Sequence, residues 1–336
     1  MRRPQESMAS RIRRIVAHPV VRAGYFALLV AAAAFYLVRW GDRLPEMLGQ
    51  IQALPLAAAC MVTALSSFLY SYIQYGIYHR LDAPPTYWTV FRITSISQLG
   101  KYLPGKVLFV GNFYLLSRAA GIGNLQIGAT FAVSMALWIL TATLCGLPVL
   151  GLLQPAFRYT VVLLPFLLLP LIHPRVLGLL ISLARRLGER LRPESATESD
   201  GGAPTDSREQ ADMLARLDAA FYLRVAFLYL LTWALAGLGA YLSLAAFTRV
   251  DMGVYPLALA SIALGTVAGF LALFAPVGLG IREGVGALVL APAVGAEVAL
   301  LSMLLLRGIT VVVDLLLALL AMLTGRWAPD SKGSQR

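Results

Sequence analysis

Charge is what this 336-residue chain has least of: Asp, Glu, Lys and Arg make up 13% of it, against 59% hydrophobic residues. A soluble domain carries about 25% charge, so an ordinary water-soluble enzyme or binding module is excluded. Cysteine is scarcer still. Cys60 and Cys145 both fall within apolar stretches, and neither a disulfide framework nor a thiolate metal site is suggested. His18, His79 and His173 lie near the ends of apolar stretches without ligand spacing, so no metal is expected. Nucleotide motifs are missing too. Gly278-x-Gly280 has no βαβ context, and Leu103-Pro104-Gly105-Lys106 lacks the glycine spacing and following Ser/Thr of a P-loop. No cofactor is expected.

What the chain has instead is length without charge. No Asp, Glu, Lys or Arg occurs in 47–79, 119–157, 225–248 or 252–281. Each run exceeds the ~20 residues an α-helix needs to cross ~30 Å of hydrocarbon. The fold class is therefore all-α: a polytopic helical membrane protein of about 7–8 spans. Clear spans are expected at about 23–38, 54–78, 125–150, 159–172, 219–247, 255–274 and 298–323. The basic start and the alanines at 31–34 also suit a signal peptide, but apolar residues continue past them, so an uncleaved anchor is expected. Tyr70, Tyr72, Tyr75 and Tyr78 at the edge of the second span suggest an interfacial girdle.

The net charge of +11 tempts a nucleic-acid reading, but the basic residues flank the spans. Arg2, Arg3, Arg11, Arg13, Arg14 and Arg22 precede the first span; Arg175, Arg185, Arg186, Arg190 and Arg192 follow the fourth. This positive-inside pattern places the N-terminus and the central linker in the cytoplasm, beside anionic lipid and not nucleic acid. Arg326, Lys332 and Arg336 argue for a cytoplasmic C-terminus as well. Seven spans cannot put both ends on one side; either an interrupted segment crosses fully or the tail lies outside.

The expected organisation is a basic N-terminus (1–22), a first membrane half (23–174) and a surface amphipathic helix with a disordered linker (175–218). A second membrane half (219–324) and a polar tail (325–336) complete it. Each half is interrupted once, at 98–106 and at 275–284, where Pro, Gly and fixed charge replace Leu and Val. Proline removes a donor and glycine relaxes the helix. Unwound backbone at membrane depth is tolerated only where it is buried in protein or lines a watery cavity. A pair of such breaks in two pseudo-repeated halves points to a transport site between re-entrant segments.

Charges near these breaks are the candidate substrate-binding residues: Lys101, Lys106, Arg118, Arg282, Glu283, Arg307 and Asp314. A charge at the bilayer centre costs at least ~2.5–3.5 kcal/mol, so each needs a partner or a purpose. If a half-helix begins near Gly280, its free N–H groups and the Arg282 guanidinium converge on one anion, and a phosphate suits both. A local Arg–Glu pair is the structural alternative. Arg307 and Asp314 are two turns apart, ~10 Å along one helix face. They either pair with each other or Asp314 neutralises Arg282 or Lys106 from another helix.

At the two breaks, Tyr102-Leu103-Pro104-Gly105-Lys106 and Pro276-Val277-Gly278-Leu279-Gly280-Ile281-Arg282-Glu283-Gly284, the chain resembles the lysylphosphatidylglycerol synthase transmembrane-region family, the membrane part of the bacterial multiple peptide resistance factor. The resemblance implies a flippase-like lipid translocase of the bacterial inner membrane. Its partners would be the membrane and a phospholipid or lipid-linked headgroup, either anionic or aminoacylated phospholipid or polyprenyl-phosphate/glycolipid. A separate lipid-modifying synthase or glycosyltransferase is a further partner. The synthase domain is not expected here, since the chain ends soon after the last span, and neither is enzymatic activity. Two alternatives stay open: a membrane-embedded lipid or glycan transferase with Glu283 or Asp314 as base, and a non-catalytic partner of a synthase.

Overall fold

The computed structural model describes residues 49, 51–83, 85–102, 107–153, 217–272 and 280–324. Among these residues eight α-helices run in the order α1 (Ala53–Arg80), α2 (Tyr87–Leu99), α3 (Val107–Ala119), α4 (Asn124–Leu153), α5 (Ala219–Ala245), α6 (Tyr255–Leu271), α7 (Ile281–Val294) and α8 (Ala296–Leu323). Short 3-10 turns at Gly100–Tyr102 and Met252–Val254 extend α2 and precede α6. No strand occurs among the described residues. Among the described residues five helical segments are long and apolar enough to cross a membrane: Ala53–Arg80, Asn124–Leu147, Ala219–Ala245, Met252–Leu271 and Ala296–Leu323. These match the expected spans to within a few residues. The spans at 23–38 and 159–172, the surface helix and the linker lie outside the described residues.

The helix starts follow ordinary capping chemistry. Thr86 opens α2 by accepting from the Thr89 N–H, and Asp218 opens α5 by accepting from the Phe221 N–H at 2.8 Å. Pro256 sits in the first turn of α6, where its missing donor costs nothing. The ends of α2 and α3 bracket residues 103–106, and those of α6 and α7 bracket 273–279, so each half carries its two short helices around its break.

Helix α1 runs antiparallel to α5. The Gln52 N–H donates to Ala246 O at 3.0 Å at one end, and Arg80 pairs with Asp218 at 3.2 Å at the other. Helix α8 packs against α1, α2, α5 and α7, while α4 packs against α5 and α6. Outward faces carry exposed Leu223, Phe227, Leu315, Leu316 and Leu319, the surface a bilayer covers.

The tyrosines of α1 depart from the expected girdle. Tyr72 is exposed, but Tyr78 is fully buried and shares a hydrogen bond with Ser117 of α3. Tyr70 packs against a buried cluster in which Gln74 donates to Ser134 and to the Tyr229 hydroxyl. Four helices crowd the C-terminal half of α1, and each buried hydroxyl needs an internal partner there. Sequence shows the tyrosines; which face is covered depends on helices far along the chain.

Candidate functional site: charges where two half-helices meet

Two short helices divide the length of α8 between them. Arg92 of α2 donates to Thr324 O at 2.6 Å, at the C-terminal end of α8, and Tyr102 reaches Asp314. Helix α2 therefore runs antiparallel along the C-terminal half of α8. On the other half, Glu283 faces Arg307, and Gly286 lies against Met303. The C-terminal tip of α2 and the N-terminal tip of α7 thus approach one another over the stretch between Arg307 and Asp314, ~10 Å long. That stretch is the middle of α8.

Asp314 gathers two partners at this junction. Lys101 Nζ lies 2.6 Å from Asp314 Oδ2, with the carboxylate 7% exposed. The Tyr102 hydroxyl donates to the same oxygen at 2.5 Å. The Tyr102 ring lies 5.5 Å from the Arg307 guanidinium and 5.2 Å from Lys101 Nζ, close enough for cation–π attraction on both. One tyrosine therefore touches three charges.

Helix α7 opens at Gly280, whose φ of +80° is a conformation that suits glycine and strains other residues. Its N–H donates to Glu283 Oε2 at 2.8 Å, and its carbonyl accepts from Gly284 at 2.9 Å. The half-helix expected from the sequence is present, and the chain's own carboxylate occupies part of its N-terminal anion position. The other oxygen, Glu283 Oε1, faces Arg307 Nε at 3.9 Å, a loose pair; Oε1 and Arg307 Nη1 are both buried without a hydrogen bond.

Arg282 completes the cluster. It is partly buried and lies within electrostatic reach of Arg307, Glu283, Tyr102 and Asp314. Among the described residues no carboxylate is within salt-bridge distance of it. Its backbone is held by close packing: a Cβ on Gly265 of α6 would fall 2.5 Å from Arg282 O. Among the described residues, three cations (Lys101, Arg282, Arg307) thus face two carboxylates (Glu283, Asp314), an excess of one positive charge. The void bounded by Ile262, Arg282, Glu283, Met303, Leu306 and Arg307 is about 10 Å³, room for about one water. Among the described residues this void is too small for a lipid headgroup.

Of the seven expected site residues, five meet here. Asp314 pairs with Lys101, neither with Arg307 nor with Arg282, and Glu283 faces Arg307. Arg118 lies elsewhere, its Nη1 donating to Ile122 O at 3.3 Å in the turn between α3 and α4. Lys106 is outside the described residues, as are Pro104-Gly105 and 276–279. Tyr102 was not among the expected site residues. It stands in the quoted motif, but its partner is 212 positions away, and no local pattern announces that.

No curated protein is similar enough to match the chain. The family model described as the lysylphosphatidylglycerol synthase TM region matches residues 24–318, including all five cluster residues and both breaks. This chain is an integral membrane protein of lipid metabolism or transport, and it belongs to the lysylphosphatidylglycerol synthase TM-region family.

Proposed function

We propose that the protein is a lipid translocase, moving a lipid with a phosphate-bearing, anionic or aminoacylated headgroup between leaflets. The observation that carries this reading is the excess cation at the junction of the two half-helices. Acyl chains are at home in the bilayer, while a headgroup needs a polar path across ~30 Å of hydrocarbon. Arg282 and Arg307 supply guanidinium forks for a phosphate, and Glu283 supplies a carboxylate that yields the α7 N-terminus as the phosphate arrives. An aminoacyl ammonium would find Asp314 or Glu283. Family membership supports the lipid, and the short helices around Pro/Gly breaks support a passage.

The test is reconstitution. Purified protein in phosphatidylcholine vesicles, with trace headgroup-labelled phosphatidylglycerol in both leaflets, is treated with a membrane-impermeant quencher. Loss of signal beyond the outer-leaflet half, at a rate proportional to protein, is the expected result. Equal rates for labelled phosphatidylglycerol and labelled phosphatidylcholine would overturn selection by the cations. No loss beyond half for phosphatidylglycerol, its lysyl ester or a polyprenyl phosphate would overturn translocation.

A further inference from the structure

A column of buried polar side chains leads from one end of the helix bundle to Asp314. On α1, Thr63, Ser67, Ser71, Gln74 and Tyr78 recur at three- and four-residue spacing and so share one face; the last three are buried. Thr94 and Ser97 of α2, also buried, stand on the face that Lys101 continues one turn on. The Ser71 and Thr94 hydroxyls share a hydrogen bond of 2.8 Å, which joins the two stripes. Further along α1, Gln74 donates to Ser134 of α4 and to Tyr229 of α5. Tyr222 stands two turns before Tyr229 on the same face of α5, and one turn earlier lies Asp218, exposed and paired with Arg80. Asp218 and Arg80 mark the aqueous end of the column. Asp314, held by Lys101, marks the inner one.

Helix chemistry accounts for only part of this column. Thr63, Ser67, Ser71 and Thr94 each reach the carbonyl one turn back, a common way for a hydroxyl to be satisfied inside a helix. Ser97 Oγ, Thr130 Oγ1, the Tyr222 hydroxyl and Gln74 Oε1 are buried without a hydrogen-bond partner among the described residues. Turning the Gln74 amide over exchanges which of its two atoms is left, not the number. Thr130 is one turn before Ser134 on α4, so all four atoms lie along the column. Buried polar groups are satisfied by protein or by water, and water is held where several polar partners converge. A polar interior at membrane depth that ends on a carboxylate is the form of a proton route.

We infer that this column holds a file of water that passes protons between the Asp218 end and Asp314, and that a lipid anion and a proton move together. The proton comes from hydronium at that end, is handed along waters and hydroxyls, and binds Asp314 Oδ2. Asp314 becomes neutral, its 2.6 Å pair with Lys101 breaks, and the freed ammonium joins Arg282 and Arg307 in holding the phosphate. One proton arriving with one monoanion leaves the charge of the buried cluster unchanged, so neither charge crosses the hydrocarbon alone. The groups around Asp314 are Lys101 and Tyr102 from the end of α2, Arg282 from α7 and Arg307 on its own helix; Glu283 of α7 faces Arg307 instead. Helices α1 and α5 carry charge or histidine only toward the Asp218 end, at His79, Arg80 and Arg224. Cys60 of α1 borders α8 at Ile309 and Val312, on the face turned away from Asp314. The lipid rests on the proposed translocation; the proton path does not.

Two measurements on the full chain in vesicles test this. The first probes the path with silver ion, which is about the size of a water molecule and binds thiols. Cys60→Ser with Ser97→Cys leaves Cys145 as an internal control; after timed exposure to silver the protein is unfolded, and unblocked thiols are alkylated and counted by mass. The Ser97→Cys thiol should be blocked at least tenfold faster than Cys145. Adding Thr94→Val, which keeps the side-chain shape and removes the hydroxyl bonded to Ser71, should slow that blocking at least tenfold. Equal rates for the two thiols, or no slowing by Thr94→Val, would overturn the path, since silver arriving from the junction does not pass Thr94. The second measurement sets the outside one pH unit more acidic than the inside, with the membrane potential clamped at zero and protein-free vesicles as the baseline. Labelled phosphatidylglycerol should collect in the inner leaflet at about ten to one, the tenfold ratio that one proton per lipid sustains. Lys101→Met with Asp314→Leu should return the distribution to even. An even distribution in the unmodified protein, or a ten-to-one distribution in the double variant, would overturn the coupling. If the unmodified protein moves no lipid even without a gradient while silver still reaches Ser97→Cys past Thr94, the translocation reading falls and the path to Asp314 stands.

Discussion

Lys101 Nζ and Asp314 Oδ2 are 2.6 Å apart, although 213 positions separate them in the chain, and they tie the first break to the last helix. Lys101 sits at the C-terminal, negative end of α2 and its 3-10 extension, where a cation is favoured. Asp314 is buried in the middle of a helix that is otherwise uncharged between Arg307 and its end. Neither charge is tolerable there alone.

That pairing sets the first prediction. Removing one partner of a buried pair strands the other and costs ~3–5 kcal/mol. Asp314→Leu and Lys101→Met should each lower the midpoint of thermal unfolding in detergent sharply. The double variant should recover most of the loss, because two matched apolar residues leave no stranded charge. Additive losses in the double variant would show that the two charges do not depend on one another.

Tyr102 gives a separate handle on the same carboxylate. Tyr102→Phe keeps the ring beneath Arg307 and Lys101 while deleting the 2.5 Å hydrogen bond to Asp314. A hydrogen bond to a charged group contributes ~1.5–3 kcal/mol, so a destabilisation of that size is expected. Tyr102→Leu should cost more, since it also removes both cation–π contacts. Equal stabilities for the Phe and Leu variants would mean the ring contributes nothing.

Much of this arrangement was legible in the sequence, and the reasons differ by element. The long spans were legible because uncharged runs of such length have one use. The breaks were legible because Pro, Gly and charge have no place in a plain span; Gly280 with its positive φ, followed by Arg282 and Glu283 in the first turn of α7, is the clearest case. Partner choice was not legible. Arg307 and Asp314 share a helix face, yet each is claimed by a different half-helix, and only the packing of α2 and α7 along α8 decides that. Arg118 was expected at the site as a cation near a break; it lies one helix further on, where its Nη1 donates to Ile122 O. The girdle expected of Tyr70 and Tyr78 failed for the same reason: coverage of a face is a tertiary fact.

Backbone approach at the second break is testable through Gly265. A methyl there would sit 2.5 Å from Arg282 O and 3.3 Å from the Gly286 N–H, backbone atoms that cannot rotate away. Gly265→Ala should destabilise by ~1–3 kcal/mol, the usual cost of overpacking. Gly284→Ala, where nothing among the described residues lies within 4 Å, should be neutral or slightly stabilising through helix propensity. Similar melting points for the two would mean that α6 and α7 are not in close contact here.

Orientation is tested with a cysteine in the linker. The arginines at 185–192 favour a cytoplasmic linker by the positive-inside rule. With Cys60 and Cys145 replaced by serine, Ser199→Cys should resist an impermeant maleimide in intact cells and label fully after permeabilisation. Labelling of intact cells would reverse the orientation.

Arg282 separates binding from architecture. With no carboxylate among the described residues at salt-bridge distance, it is the cation a phosphate can claim without first breaking a pair. Losing a charge-assisted contact of ~1.5–3 kcal/mol corresponds to about ten- to a hundredfold slower transport for Arg282→Ala. Arg282→Lys should retain part of the rate, because an ammonium offers a point charge where the guanidinium offers two parallel donors. The structural alternative is that Arg282 balances Glu283 and holds α7 in place. Arg282→Met with Glu283→Gln removes both charges at once, and the side-chain amide introduced by Glu283→Gln still accepts from the Gly280 N–H. If that double variant regains wild-type abundance but not transport, Arg282 acts on the anion. Recovery of both together would make Arg282 a structural counter-charge and leave Arg307 as the phosphate ligand to examine.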